Sequence, residues 1–229
     1  MQVAEGLSDV ERAQLYISGG QAVQEMAVIT NLPGLVRAAG RGAWTAISRG
    51  LAEVARGLDP DGQATAAAAF ATLARERLLP AVDITDVILP LALAGVGEGG
   101  APAGSTQAAW LACLAEVCAA VEPGTLHSRV LPLVSARCGG AGRTPRERCL
   151  GCELLGAVAL HAAPEDLQRT LLRLAATLCG DTEWQVRHAA CHQLPALATA
   201  AAAKLDPPQP AAVLDDIYAL LEDEEVGAG

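Results

Sequence analysis

Three apolar clusters decide how this chain folds: Val87-Ile88-Leu89-Pro90-Leu91, Val130-Leu131-Pro132-Leu133-Val134 and Leu171-Leu172-Arg173-Leu174. Pro90 and Pro132 are 42 residues apart, and Pro132 and Arg173 are 41 apart. Another step of 41 lands on Asp215, inside Ala212-Val213-Leu214-Asp215-Asp216-Ile217. A period of this length marks a chain of like units, each one supersecondary piece that cannot bury its apolar face alone.

Outward from the clusters, breaker-rich turns recur at Asp59-Pro60-Asp61-Gly62, Gly97–Gly104, Gly139–Gly142, Gly180-Asp181 and Glu222-Asp223-Glu224. Each of the complete turns is followed by a second helical stretch. In the last of these, Val186, Ala190, Leu194, Leu197 and Ala201 recur at three- and four-residue spacing, while Gln185, His188, His192 and Thr199 fall on the polar side. The earlier units pair roughly 8–18 with 21–38 and 41–57 with 62–78, and Ser8 with Glu11 has the spacing of a capping box. Two helices per unit at this period are the signature of HEAT and armadillo repeats. The expected fold is therefore an all-α solenoid of about five HEAT-type repeats with a partial sixth, one array spanning 1–229. Residues 204–229 form its incomplete last repeat and acidic tail. The segment 211–221 lacks a partner helix, which reads as the front of a longer array or as an incomplete gene product.

Composition agrees. Hydrophobic residues are 52% of the 229, mean hydropathy is +0.30, and aromatics are only 3%. Ala and Leu dominate, and both favour helix. The net charge of −10 argues against nucleic acid, which needs a basic stripe, and against an anionic membrane. No apolar run reaches the roughly 18–20 residues of a membrane span, and Met1–Glu5 carries no basic start of a signal peptide. With seven cysteines, this implies reduced thiols in a cytosolic or nuclear protein.

The motifs that carry chemistry fail on context. Gly95-Val96-Gly97-Glu98-Gly99-Gly100 matches GxGxxG, with Glu116 or Glu122 as the candidate ribose acid, but the fingerprint needs a strand before it and Pro90 interrupts the run. Cys149-x-x-Cys152 and His188-x-x-Cys191-His192 lie on consecutive helices, a geometry that zinc would allow; small buried thiols and solvated imidazoles explain them as well. His188 and His192 have the spacing of HExxH, but Ala189 stands where the general base is required. No nucleophile elbow, phosphate-binding loop or kinase signature is present. The expectation is a protein without catalytic residues, metal or cofactor.

Gly180-Asp181-Thr182-Glu183-Trp184-Gln185-Val186-Arg187 is the most informative stretch. Trp184 opens a helix beside a turn, where it either covers the end of the core or anchors a partner; Trp44 and Trp110 lie within helices and belong to the core. Asp181 followed by Val186-Arg187 is similar to the Asp…Val-Arg signature of HEAT repeats, in which Asp and Arg of neighbouring units form a ladder. In the preceding unit Arg146 matches Arg187, but Gly140 stands in place of Asp, which leaves the ladder open there. Intra-repeat turns line one edge of such a solenoid. The candidate partner-binding residues on that edge are Asp181, Glu183, Trp184, Arg187, Arg143 and Arg146.

The chain further resembles one family. Leu7-Ser8-Asp9-Val10-Glu11-Arg12-Ala13, Gly20-Gln21-Ala22-Val23-Gln24 and Val28-Ile29-Thr30-Asn31-Leu32-Pro33 look like the N-terminal region of the regulatory subunit 4 family of protein phosphatase 4. The similarity continues through Ala109-Trp110-Leu111, Glu122-Pro123-Gly124-Thr125-Leu126, Leu133-Val134-Ser135, Cys152-Glu153-Leu154-Leu155-Gly156 and Glu183–Arg187. This resemblance implies a non-catalytic regulatory or scaffold subunit in the cytoplasm. Its partner would be the catalytic subunit of a Ser/Thr protein phosphatase, which it would direct to other proteins. The competing reading is a HEAT-repeat adaptor of the nuclear-transport or assembly-factor type. A HEAT-fold DNA glycosylase would need a basic concave face, which the charge opposes.

Overall fold

The computed structural model describes residues 6–97, 105–139 and 142–205, and these are helix and turn with no strand. The expected turn over 98–104, Gly140, the helix at 211–221 and the acidic run after it lie outside the described residues. Two compact units are formed, Met1–Val121 and Glu122–Gly229.

In the first unit, α1 (Asp9–Ser18) opens with the expected capping box: the Glu11 N–H donates to Ser8 Oγ (3.3 Å), and the Ser8 N–H donates to Glu11 Oε2 (2.9 Å). The next two expected helices run on as one, α2 (Ala22–Gly57), broken in direction at Gly40, where φ is 68° and ψ is −161°. That backbone conformation is open in practice to glycine alone. Gly40→Ala is therefore expected to lower stability by about 2 kcal/mol although nothing lies near its Cβ. Gly34→Ala, on ordinary helical backbone in equally open space, should raise stability by up to about 1 kcal/mol. Paired urea titrations read the contrast.

Helix α3 (Pro60–Arg75) starts on Asp59, whose carboxylate accepts the Gly62 N–H at 2.8 Å. Helix α4 is continuous through Ala81–Asp83, Ile84–Ile88 and Leu89–Gly97, and α5 spans Ser105–Ala120. The core of this unit holds Ile29, Leu32, Trp44, Leu51, Phe70 and Leu114, each under 2% exposed. Burial of such side chains stabilises by about 1.5–3 kcal/mol each. Ion pairs also join neighbouring helix pairs, Arg41 to Asp83 (2.7 Å) and Arg75 to Glu116 (3.7 Å). The arginines are more than half exposed, so these pairs align the helices more than they stabilise them.

The second unit begins with α6, which runs through Pro123–Thr125, Leu126–Val130 and Leu131–Cys138, followed by α7 (Pro145–Ala159). Helix α8 runs through Pro164–Asp166, Leu167–Leu171 and Leu172–Cys179; α9 is Trp184–Cys191 and α10 is Leu194–Lys204. The sequence pattern makes the last two one helix. They are two because Pro195 has no N–H to continue the ladder and takes one of the first positions of a new helix. The expected stripe still holds: Val186, Ala190, Leu194, Leu197 and Ala201 are all buried.

The repeat period is written in the backbone as well. One wide π-type turn sits inside each of α4, α6 and α8, closed by Leu89 N–H to Ile84, Leu131 N–H to Leu126 and Leu172 N–H to Leu167. Pro90 and Pro132 follow directly on the first two. The third forms with Arg173 in the proline's place, so the proline fits the wide turn without being its sole cause.

Candidate functional site

The segments 142–148 and 180–187 both belong to the second unit, and a lattice of arginines and carboxylates holds them. Thr144 caps α7, and Glu147 closes the capping box by accepting the Thr144 N–H at 3.0 Å. Glu147 also takes Arg137 Nη1 (2.9 Å) and Arg143 Nη1 (3.0 Å). The Thr144 N–H and the Arg143 guanidinium hold its carboxyl down at about 2.

Arg148, 8% exposed, ties the two turns together. Its Nε and Nη2 donate to Asp181 Oδ2 (2.7 Å) and Oδ1 (2.9 Å), and its Nη1 donates to the Arg143 carbonyl (2.7 Å). Asp181 Oδ1 accepts the Glu183 N–H (2.9 Å), while Arg187 Nη1 donates to the carbonyls of Asp181 (2.9 Å) and Thr182 (3.2 Å). Burial alone would push the Asp181 carboxyl up. The bonds from Arg148 and the Glu183 N–H, with the charges of Arg148 and Arg187, outweigh it and hold the group below its ordinary value.

The ladder rung is therefore made by Arg148, where the fixed 41-residue step points to Arg146. Helices α7 and α9 start 39 residues apart, at Pro145 and Trp184, so the fourth helical residue is Arg148 in one and Arg187 in the other. Counting from the helix starts, Thr144-Pro145 and Glu183-Trp184, finds the residue that the fixed period misses.

The six candidate residues separate into two sets. Asp181, Arg187 and Arg143 are engaged in holding the turns. Glu183, Arg146 and Trp184 face solvent, and Arg146 has no hydrogen bond or ion pair among the described residues. Trp184 is 45% exposed, so the indole does not close the core. It stands edge-to-face against His188 (6.2 Å between centroids), which meets His192 in the same way (4.6 Å). Trp44 and Trp110 are buried, at 1% and 2% exposed.

The other motifs are absorbed by packing. Gly95 and Gly97 end a helix and do not follow a strand, and a Cβ on Gly95 would meet the Trp110 ring at 2.3 Å. Cys149 and Cys152 direct their thiols to the carbonyls of Gln185 (3.5 Å) and Val186 (3.8 Å). Burial pushes the Cys118 and Cys138 thiols up to about 12 and raises Cys152 as well, so the neutral form dominates. Among the described residues no three His, Cys, Asp or Glu side chains are grouped to hold a metal ion. No described helix is long and apolar enough to cross a membrane.

Paired helices with a recurring period and a charged, Trp-bearing turn edge define a class: an all-helical repeat-like protein whose candidate site is a surface. Its relatives are specific. The chain is 31% identical to human serine/threonine-protein phosphatase 4 regulatory subunit 4 over 228 residues, 98% of this chain and 25% of that protein. It is 30% identical to the mouse protein of the same name over 206 residues, 90% of this chain and 23% of that protein. It is thus a relative of the phosphatase 4 regulatory subunit 4 proteins along nearly its whole length, and it spans about a quarter of the length of the curated relatives it matches. No protein-family model matches the chain.

Proposed function

We propose that this chain is part of a non-catalytic regulatory or scaffold subunit that binds the catalytic subunit of a phosphatase 4-like Ser/Thr phosphatase and directs its activity. The observation that carries the reading is the continuous similarity to regulatory subunit 4 over 98% of the chain. The helix pairs of both units then belong to one HEAT-type array of about five repeats, working in the cytoplasm and contacting proteins rather than nucleic acid or membrane. The turn edge that carries Trp184, Arg146 and Glu183 is the contact surface. An indole nearly half exposed, on a helix start fixed by the Arg148–Asp181 pair, is a preformed anchor of the kind that dominates interface energetics.

The test is affinity purification of the tagged full-length gene product, with identification of what it retains. A phosphatase catalytic subunit is the expected partner; recovery of transport factors with no phosphatase establishes the adaptor reading instead. Trp184→Ala should weaken the complex by about 1–2 kcal/mol. Because the indole lies outside the core, the melting curve of the variant should overlay that of the parent.

A further inference from the structure

Three rings run along α9 and the residue that caps it. Trp184, His188 and His192 stand at successive turns, each edge-to-face with the next, and none of the three is buried. His188 and His192 are one regular turn apart, since the His192 N–H donates to the His188 carbonyl at 3.3 Å. Neither imidazole has a hydrogen bond or ion pair among the described residues. The spacing of these two rings is that of a chelating pair. A ring nitrogen binds zinc at about 2.0–2.1 Å, which puts the metal roughly 3.2 Å from the ring centroid. Two imidazoles on one ion, at N–metal–N angles of about 90–110°, therefore have centroids about 4.5–5.2 Å apart. Those of His188 and His192 are 4.6 Å apart. The rings meet at 77°, so chelation needs a turn about a Cβ–Cγ bond, a torsion that is broad for histidine. His188 also lies in the last turn of α9, the end of a helix that favours a cation.

We infer that His188 and His192 form a binding site for a divalent transition-metal ion of the zinc or nickel type, with its other positions left to solvent. Imidazole is a suitable ligand for both ions. An ion at this pair runs against the sequence-based expectation of a metal-free chain. The pair needs neither Cys149 and Cys152, whose thiols face carbonyls of the segment Gln185-Val186, nor the general base of HExxH. No third side-chain ligand is grouped with it among the described residues, so the ion is exchangeable, unlike the closed four-ligand zinc of structural sites. The site is independent of the phosphatase-subunit reading, and its test needs no partner.

The experiment titrates the full chain with nickel(II), and separately with zinc(II), by calorimetry with the thiols kept reduced. One ion should bind per chain. His192→Ala and His188→Gln should each weaken it by at least about tenfold, and the double variant should bind no more weakly than either single, because one imidazole alone has already lost the chelate. Without metal, the melting curves of these variants should overlay that of the parent; added ion should raise the midpoint of the parent only. Magnesium, which takes oxygen ligands, should not bind. Nickel should also quench part of the tryptophan emission, because Trp184 stands against His188. Trp184→Phe should lose that quenching and keep its affinity within about threefold of the parent. Single variants that halve the stoichiometry at unchanged affinity would mean two independent imidazoles and overturn the site. Undiminished binding by the double variant, or loss of the ion on Cys149→Ser or Cys191→Ser, would seat the ion on other ligands and overturn it as well.

Discussion

Gly95→Ala is expected to cost about 3 kcal/mol of stability, and Gly95→Val more, because the new Cβ falls within 2.3–2.6 Å of three Trp110 ring atoms. The sign is informative. In a helix interior, Ala is favoured over Gly by up to about 1 kcal/mol, so a position with free space would gain from the change. Here Trp110 is 2% exposed and cannot swing aside: it packs on Phe70 (6.2 Å between centroids), and its Nε1–H donates to Gln63 Oε1 (3.4 Å). Urea unfolding followed by circular dichroism measures the loss. A double-mutant cycle with Trp110→Leu isolates the cause, since Gly95→Ala should be nearly free in that background. A stabilised Gly95→Ala single variant would refute the packing argument. The glycine that imitates a nucleotide fingerprint is there because a tryptophan needs the space.

The second large effect is at the Arg148–Asp181 pair. Their side chains are only 10% and 12% exposed, so removing one partner leaves a charge in a poorly hydrated place. Arg148→Met should cost about 2 kcal/mol, below the full buried-pair range because both groups keep some solvent contact. It should also loosen the edge that presents Trp184, and so reduce partner affinity by an indirect route. Acid titration gives an independent reading. Asp181 titrates below its ordinary 3.8 when folded, so its contribution is complete above that pH and is lost as pH falls through the lowered value. Glu147, held at about 2 against an ordinary 4.5, loses its share between those two values. Stability should therefore fall as pH drops from about 5 toward 2, and the difference between parent and Arg148→Met should narrow over the same range as Asp181 takes up its proton. A gap that stays constant down to pH 2 would mean that the carboxylate charge is not what Arg148 supports.

How far the site could be read from the chain is clearest at the two turns. The stretch Gly180–Arg187 announces itself through a helix start, a Trp and an Asp…Val-Arg spacing; of the six candidates, Arg143, Asp181 and Glu183 lie in the turns, while Arg146, Trp184 and Arg187 lie in the first turns of the helices that follow. Their division of labour was not legible. Asp181 and Arg187 look as available as Glu183 in sequence, yet two bonds from Arg148 and two carbonyls occupy them. The repeat period does not point to Arg148, because it averages over turns of unequal length, while a side chain's direction depends on its count from its own helix start.

Local chemistry settled the elements. The capping pairs Ser8–Glu11 and Thr144–Glu147 fix helix starts, Gly40 and Pro195 fix breaks, and the apolar stripes fix which faces turn inward. Each of these acts within about four residues, and so each is written in neighbouring letters. Contacts across tens of residues were decided only by the tertiary structure: Trp110 on Gly95 and Phe70, Arg148 on Asp181, and the exposure of Trp184 where Trp44 and Trp110 are buried. The physical reason is that a helical period specifies an inward face without specifying the neighbour that will cover it. Whether an indole at the edge of that face becomes core or surface depends on how far the next helix reaches, and no local pattern encodes that distance.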